Sequence, residues 1–199
     1  MKHKFILASS SPRRIKMLGD LGINFEVIAP DINESPLESE PPEDFVLRLS
    51  KEKADYVCSK VSEKAVILAA DTVVILGKII LGKPLDEIDA KRMLEMLSGN
   101  THKVATGFTL MDQDCAVLHS EAVFTEVTFK NLAPGEIDGY IKTGEPMDKA
   151  GAYAIQGTGS FMVEEINGSF TNVVGLPLSR VVEILSNLGL LKLFSKNGN

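Results

Sequence analysis

Twelve consecutive residues, Ala65 to Leu76 (AVILAADTVVIL), carry a single charge, that of Asp71. The run falls well short of the ~20 apolar residues that a bilayer span requires. It therefore reads as the centre of a water-soluble core, with a buried strand over Ala65 to Ala70. Val73 to Leu76 and Ile79 to Leu81 then flank Gly77-Lys78, a two-residue hairpin turn with glycine first. A carboxylate at the end of a buried strand is costly unless it is paired or put to use. Asp71 can hold a divalent cation or take a proton from water. The plain alternative is a turn or N-cap aspartate where the chain leaves the strand. Thr72 either faces a ligand or simply favours β structure.

Around this strand the chain alternates elements. Lys4 to Ala8 is a short buried strand, Ser9 to Ser11 a polar turn, and Pro12 suits the first position of a helix reaching about Leu21, stopped by Gly22. Phe25 to Ile28 predicts a second strand. Pro30 to Pro42, rich in proline and acidic residues, predicts a surface loop, and Asp44 to about Lys60 a helix. Asp86 caps a helix to Leu97. Long strands are expected over Lys103 to Met111 and Ala116 to Lys130, and a short helix over Pro134 to Ile141. Strands near Ala152 to Ile155 and Phe161 to Ile166 and a closing helix over Pro177 to Leu188 complete the chain. This is an α/β pattern, an elongated mixed sheet flanked by helices. At 199 residues, with 44% hydrophobic and 24% charged, one domain over 1–199 is expected.

Several polar groups stand where chemistry could use them. Ser9-Ser10-Ser11-Pro12-Arg13-Arg14 follows a strand and opens a helix, where backbone N–H groups favour an anion. Two arginines in a first helical turn oppose the helix dipole; a polyphosphate would account for them, and two solvated arginines behind a serine cap are the alternative. Lys53 falls on one helical face with Val46, Leu49 and Val57, so it either snorkels outward or reaches into a site. Lys83, in Gly82-Lys83-Pro84, shares that ambiguity. Glu34 in the acidic loop can reach a metal. Gly144 to Gly157 (GEPMDKAGAYAIQG) is a shaped loop, and the Gln156 amide, with its acceptor and two donors, suits a base edge. His102 and His119 are isolated, and no P-loop is present.

The balance of 21 basic against 27 acidic residues, a net charge of −6, argues against a protein that coats nucleic acid or anionic membrane. Cys58 and Cys115 are far apart and in no C-x-x-C pair, which predicts neither a disulfide framework nor a zinc site. The apolar stretch Phe5 to Ala8 is too short for a signal peptide. A cytoplasmic protein is expected.

Taken together, LASSSPRR (7–14), RLSKEKA (48–54), AADTVV (69–74), GKP (82–84), MLSGNTHKVATG (96–107), GEPMDKAGAYAIQG (144–157) and VVGLPL (173–178) resemble the Maf family of nucleoside triphosphate pyrophosphatases, in that family's order. The resemblance implies a Maf/ITPase-like α/β fold with two lobes and a cleft between them. It implies hydrolysis of a nucleoside triphosphate to the monophosphate and pyrophosphate with Mg²⁺, or with Mn²⁺ or Co²⁺. It implies Asp71 as catalytic base, with Arg13, Thr72 and Gln156 tied to substrate choice. Ser9, Ser11, Arg14, Glu34, Lys53 and Lys83 match the family's phosphate and metal region, with Asp71 and Glu34 as metal ligands and Lys53 and Lys83 as catalytic residues beside Asp71. DKAGAYAIQG resembles the subgroup acting on dTTP and UTP; the subgroup acting on 7-methyl-GTP carries Glu where this chain has Gln156. A homodimer and an older link to inhibition of septum formation also follow from the resemblance. The alternatives are 7-methyl-GTP hydrolysis and a non-catalytic nucleotide-binding regulator of cell division.

Overall fold

The computed structural model describes residues 4–193; the two ends of the expected 1–199 domain lie outside the described residues. The strands are β1 (Lys4–Ala8), β2 (Glu26–Val27), β3 (Ala65–Leu76), β4 (Ile79–Leu81), β5 (Thr101–Met111), β6 (Val117–Phe129) and β7 (Val163–Asn167). They form one mixed sheet in the order β2-β1-β3-β5-β6-β7, with β4 folded back on β3. β1 runs parallel to both β2 and β3, and the remaining pairs are antiparallel. The helices are α1 (Pro12–Asp20), α2 (Pro42–Cys58), α3 (Glu87–Leu97), α4 (Pro134–Ile141), α5 (Phe170–Val174) and α6 (Leu178–Asn187).

Alternation along β3 builds two cores, because successive side chains in a strand point to opposite faces. Val66, Leu68, Ala70 and Val74 join the core that includes Leu18, Leu94, Ile137 and Val181 of α1, α3, α4 and α6. Ala65, Ile67 and Ala69 pack with Ala54 and Val57 of α2, and Val73 and Ile75 with Phe45, Val46 and Leu49 of the same helix. The glycine at 107 permits this close seating. A Cβ there would overlap the Val46 carbonyl, so α2 lies almost on the backbone of β5.

Three expectations need correction. β3 does not end before Asp71. Its ladder with β5 is continuous from Ile67↔Met111 to Ile75↔Lys103 and carries Asp71 and Thr72 within it. Ala152 to Ile155 is not a strand, because Gly151 (φ 68°) and Ala152 (φ 57°) turn the backbone left-handed where an extended chain would begin. The segment from 145 to 162 runs instead through three 3₁₀ turns. Residues 167–176, for which the sequence predicts no element, hold α5; Ser169 caps it by accepting from Asn172 N–H at 3.2 Å. Finally, Cys58 and Cys115 form a disulfide with 5.9 Å between Cα atoms. The 57 residues separating them in sequence hide the fact that the end of α2 and the β5–β6 turn meet on one face of the sheet.

Candidate active site

The parallel partner of β3 stops early. β1 pairs with it only as far as Ala8↔Ala69, and β4 begins only at Val74↔Leu81. Between them, on that side, Ala70 to Val73 have no strand neighbour. β1 ends there in the Ser9–Ser11 turn, and α1 starts with its N-terminus toward the gap. Open α/β sheets bind ligands at such places, beyond the carboxyl end of a strand. The gap opens into a cleft of about 580 Å³, lined by Ser9 to Arg14, Glu34, Lys53, Asp71, Thr72, Lys83 and Gln156 among others. That size falls within the ~300–1,000 Å³ usual for small-molecule sites. All ten residues singled out from the sequence as site candidates line it.

Asp71 follows Ala69 onto the α2 face, where Lys53 comes down from the helix. Lys53 Nζ lies 2.6 Å from Asp71 Oδ1 and 2.6 Å from Glu34 Oε1. Lys53 and Asp71 are buried, at 6% and 7% exposure, so the lysine reaches inward rather than snorkelling. Burial pushes the Glu34 carboxyl up. The hydrogen bond and charge of Lys53, helped by Lys83 and Arg14, outweigh that and hold it below the ordinary carboxylate range.

Thr72 points to the opposite face, toward α1. Arg14 is buried there with its guanidinium divided among protein acceptors: Nε donates to Gly175 O at 2.7 Å, Nη1 to Ser9 Oγ at 3.3 Å and Nη2 to Thr72 Oγ1 at 3.0 Å. Burial lowers its pKa, countered in part by the charge of Asp71. Thr72 Oγ1 also shares a hydrogen bond with Thr106 Oγ1 at 2.9 Å. Of five guanidinium N–H groups, two remain for a ligand. At the helix entrance, the Ser11 hydroxyl makes no capping bond, and Arg13 Nη1 stands 3.8 Å from Asp148 Oδ2 across the cleft.

The family model of the Maf-like proteins matches residues 4–188. The chain belongs to the Maf-like family. It is 50% identical over 190 residues to a dTTP/UTP pyrophosphatase of Geobacter sulfurreducens, covering 96% of this chain and 99% of that protein. It is 49% identical over 191 residues to a protein of the same description from Geotalea uraniireducens, covering 96% and 98%. A HAM1 protein from Coxiella burnetii has the same fold, with TM-score 0.53 at 15% identity over 93% of this chain and 99% of that structure.

In this Maf-like chain the sequence candidates therefore converge, but not all in the expected posture. Thr72 and Arg14 bind chiefly each other and the backbone of 175. Gln156 is exposed in the cleft, and its amide has no protein partner among the described residues. Four supporting residues escape a reading by residue type. Thr106 and Gly175 brace Arg14 and Thr72. Tyr153 lines the cleft, its hydroxyl 2.8 Å from His102 Nε2, and Tyr140 Oη accepts Ala154 N–H at 3.1 Å. For Thr106, Tyr153 and Gly175 the only sequence signal is their place inside the matching segments; Tyr140 lies outside them and has none.

Proposed function

We propose that this Maf-like protein hydrolyses dTTP and UTP to the monophosphate and pyrophosphate. The observation that carries the reading is the Lys53-bridged pair of Asp71 and Glu34, opening on the same cleft as the Ser9–Arg14 turn and Gln156. The substrate named for the half-identical relatives supports the choice of pyrimidine.

Two carboxylates whose oxygens already converge on one ammonium suit a hard divalent cation. Among the described residues no group of three or more His, Cys, Asp or Glu side chains could hold a metal. A two-carboxylate donor set fits Mg²⁺, which takes its other ligands from water and substrate phosphates; Mn²⁺ and Co²⁺ are the alternatives. When bound through Asp71 and Glu34, the cation neutralises charge on the triphosphate and the departing pyrophosphate.

The chain's own groups do the rest. The Ser11 hydroxyl, the α1 N-terminus and Arg13 bind phosphate oxygens. Lys83 adds positive charge at the cleft mouth. Asp71 takes the proton of the attacking water while Lys53 fixes the carboxylate's direction. The water oxygen bonds to the α-phosphorus, and the bond to the α–β bridging oxygen breaks as pyrophosphate leaves. Gln156 reads the base: a uracil or thymine edge offers an N–H donor beside carbonyl acceptors, and an amide meets both.

Family resemblance extends the reading to a single domain over 1–199, a homodimer, a cytoplasmic location and a tie to septum formation. The net charge of −6 supports a nucleotide rather than nucleic acid as the ligand. Among the described residues no helix is long and apolar enough to cross a membrane. The test is turnover of a nucleoside triphosphate panel with Mg²⁺ in ¹⁸O-labelled water. Label in the monophosphate, with dTTP and UTP preferred, is expected; inorganic phosphate as primary product would refute the reading.

A further inference from the structure

Among the described residues Gln156 has no protein partner to orient its amide, yet the backbone on both sides of it is tightly held. Before it, Ala154 N–H donates to Tyr140 Oη at 3.1 Å. After it, Thr158 N–H and Gly159 N–H donate to Glu145 Oε1 and Oε2 at 3.2 and 2.9 Å. The two grips meet at Gly159, whose N–H goes to Glu145 and whose Cα faces the Tyr140 hydroxyl. Glycine is required twice in this bend. Gly157 sits at φ 83°, and a Cβ there would overlap Glu145 Oε1; a Cβ at 159 would overlap the Ala154 carbonyl and the Tyr140 hydroxyl. Glu145 is anchored in turn: its N–H donates to Thr143 Oγ1 at 3.1 Å, and its carbonyl accepts from Lys149 Nζ at 2.9 Å.

From this we infer that Glu145 and Tyr140 are positioning residues for base selection, a clamp that presents the Gln156 amide to the nucleobase. The inference rests on the reading of Gln156 as the base contact. A carboxylate serves here because it takes two backbone N–H donors at once, which a neutral amide cannot repeat with both of its ends. A reader held by backbone alone discriminates only as well as its backbone is fixed, since misplaced polar groups lose the penalty that rejects a wrong edge.

UTP and CTP probe the clamp, because they share sugar and phosphates and differ at the base edge. The ratio of their kcat/KM values is measured in wild type, Glu145→Gln, Gln156→Ala and the double variant, alongside thermal melting. Glu145→Gln is expected to lower the UTP-over-CTP ratio about tenfold, and in the Gln156→Ala background to lower it no further, as coupled positions require. Tyr140→Phe keeps the ring and removes the hydroxyl; it is expected to shift the ratio the same way, and it decides the matter if Glu145→Gln does not fold. An unchanged ratio in a folded Glu145→Gln protein, or additive losses in the double variant, overturns the clamp while base reading by Gln156 stands. An unchanged ratio in Gln156→Ala overturns both.

Discussion

Lys53 Nζ lies 2.6 Å from Asp71 Oδ1 and equally 2.6 Å from Glu34 Oε1, so one ammonium from α2 bridges a sheet carboxylate and a loop carboxylate. That contact ties the strand, the helix and the proline-rich loop together. The charge balance of the site rests on this contact.

Replacing Asp71 with Asn keeps size and shape and leaves Lys53 its contact with Glu34. The fold is expected to survive, while kcat for pyrophosphate release falls at least about 10²-fold, the usual scale of one acid–base group. Near-normal turnover by a folded variant would remove Asp71 from the role of base.

Lys53→Met leaves two carboxylates facing each other, one of them buried. Removing one partner of a buried pair costs about 3–5 kcal/mol; because Glu34 is half open to water, the low end is expected. Added Mg²⁺ should raise the melting temperature of the variant more than that of wild type, since the cation can then replace the lost charge. Equal shifts would argue against a cation between these carboxylates.

Thr72→Val deletes the acceptor of Arg14 Nη2 and the link to Thr106. A buried donor left unpaired costs about 1–3 kcal/mol, which urea unfolding resolves. Thr72→Ser should restore most of it. If valine is neutral and serine is not better, the Arg14 brace does not depend on this hydroxyl.

His102 is buried between Phe129 and Tyr153, and burial lowers its pKa from 6.5 to about 4. The unfolded chain thus binds a proton that the native state refuses. The stability tied to the neutral ring is fully present above about pH 6.5 and is lost as pH falls toward 4, by up to about 3 kcal/mol. His102→Gln should flatten that part of the pH dependence of unfolding free energy. A slope identical to wild type would place its origin elsewhere.

The Cys58–Cys115 bridge closes a long loop, and neither cysteine lines the cleft. Loss of such a bridge typically costs about 2–4 kcal/mol. Dithiothreitol or Cys115→Ser is expected to lower the melting temperature while leaving kcat/KM within a factor of about two. A melting temperature indifferent to reductant would exclude a stabilising bridge.

Local order was legible in the sequence because it is dictated locally. The unbroken apolar run of Ala65 to Leu76, Pro12 at a helix start, Asp86 accepting Asp89 N–H and glycine after the helices each act within a few residues. The stripe of Val46, Leu49, Lys53 and Val57 likewise placed Lys53 on the buried face of α2, though not whether its head snorkels outward or what it meets. Contacts set by distant segments were decided only by the tertiary structure. Cys58 finds Cys115 because α2 ends over the β5–β6 turn. β3 runs straight through Asp71 because β5 pairs it on one side, and the cleft exists because β1 stops at Ala8 on the other. Asp71 and Thr72 are neighbours in sequence, but strand geometry turns them to opposite faces. One meets Lys53, the other Arg14, and a linear reading has no means of choosing between those partners.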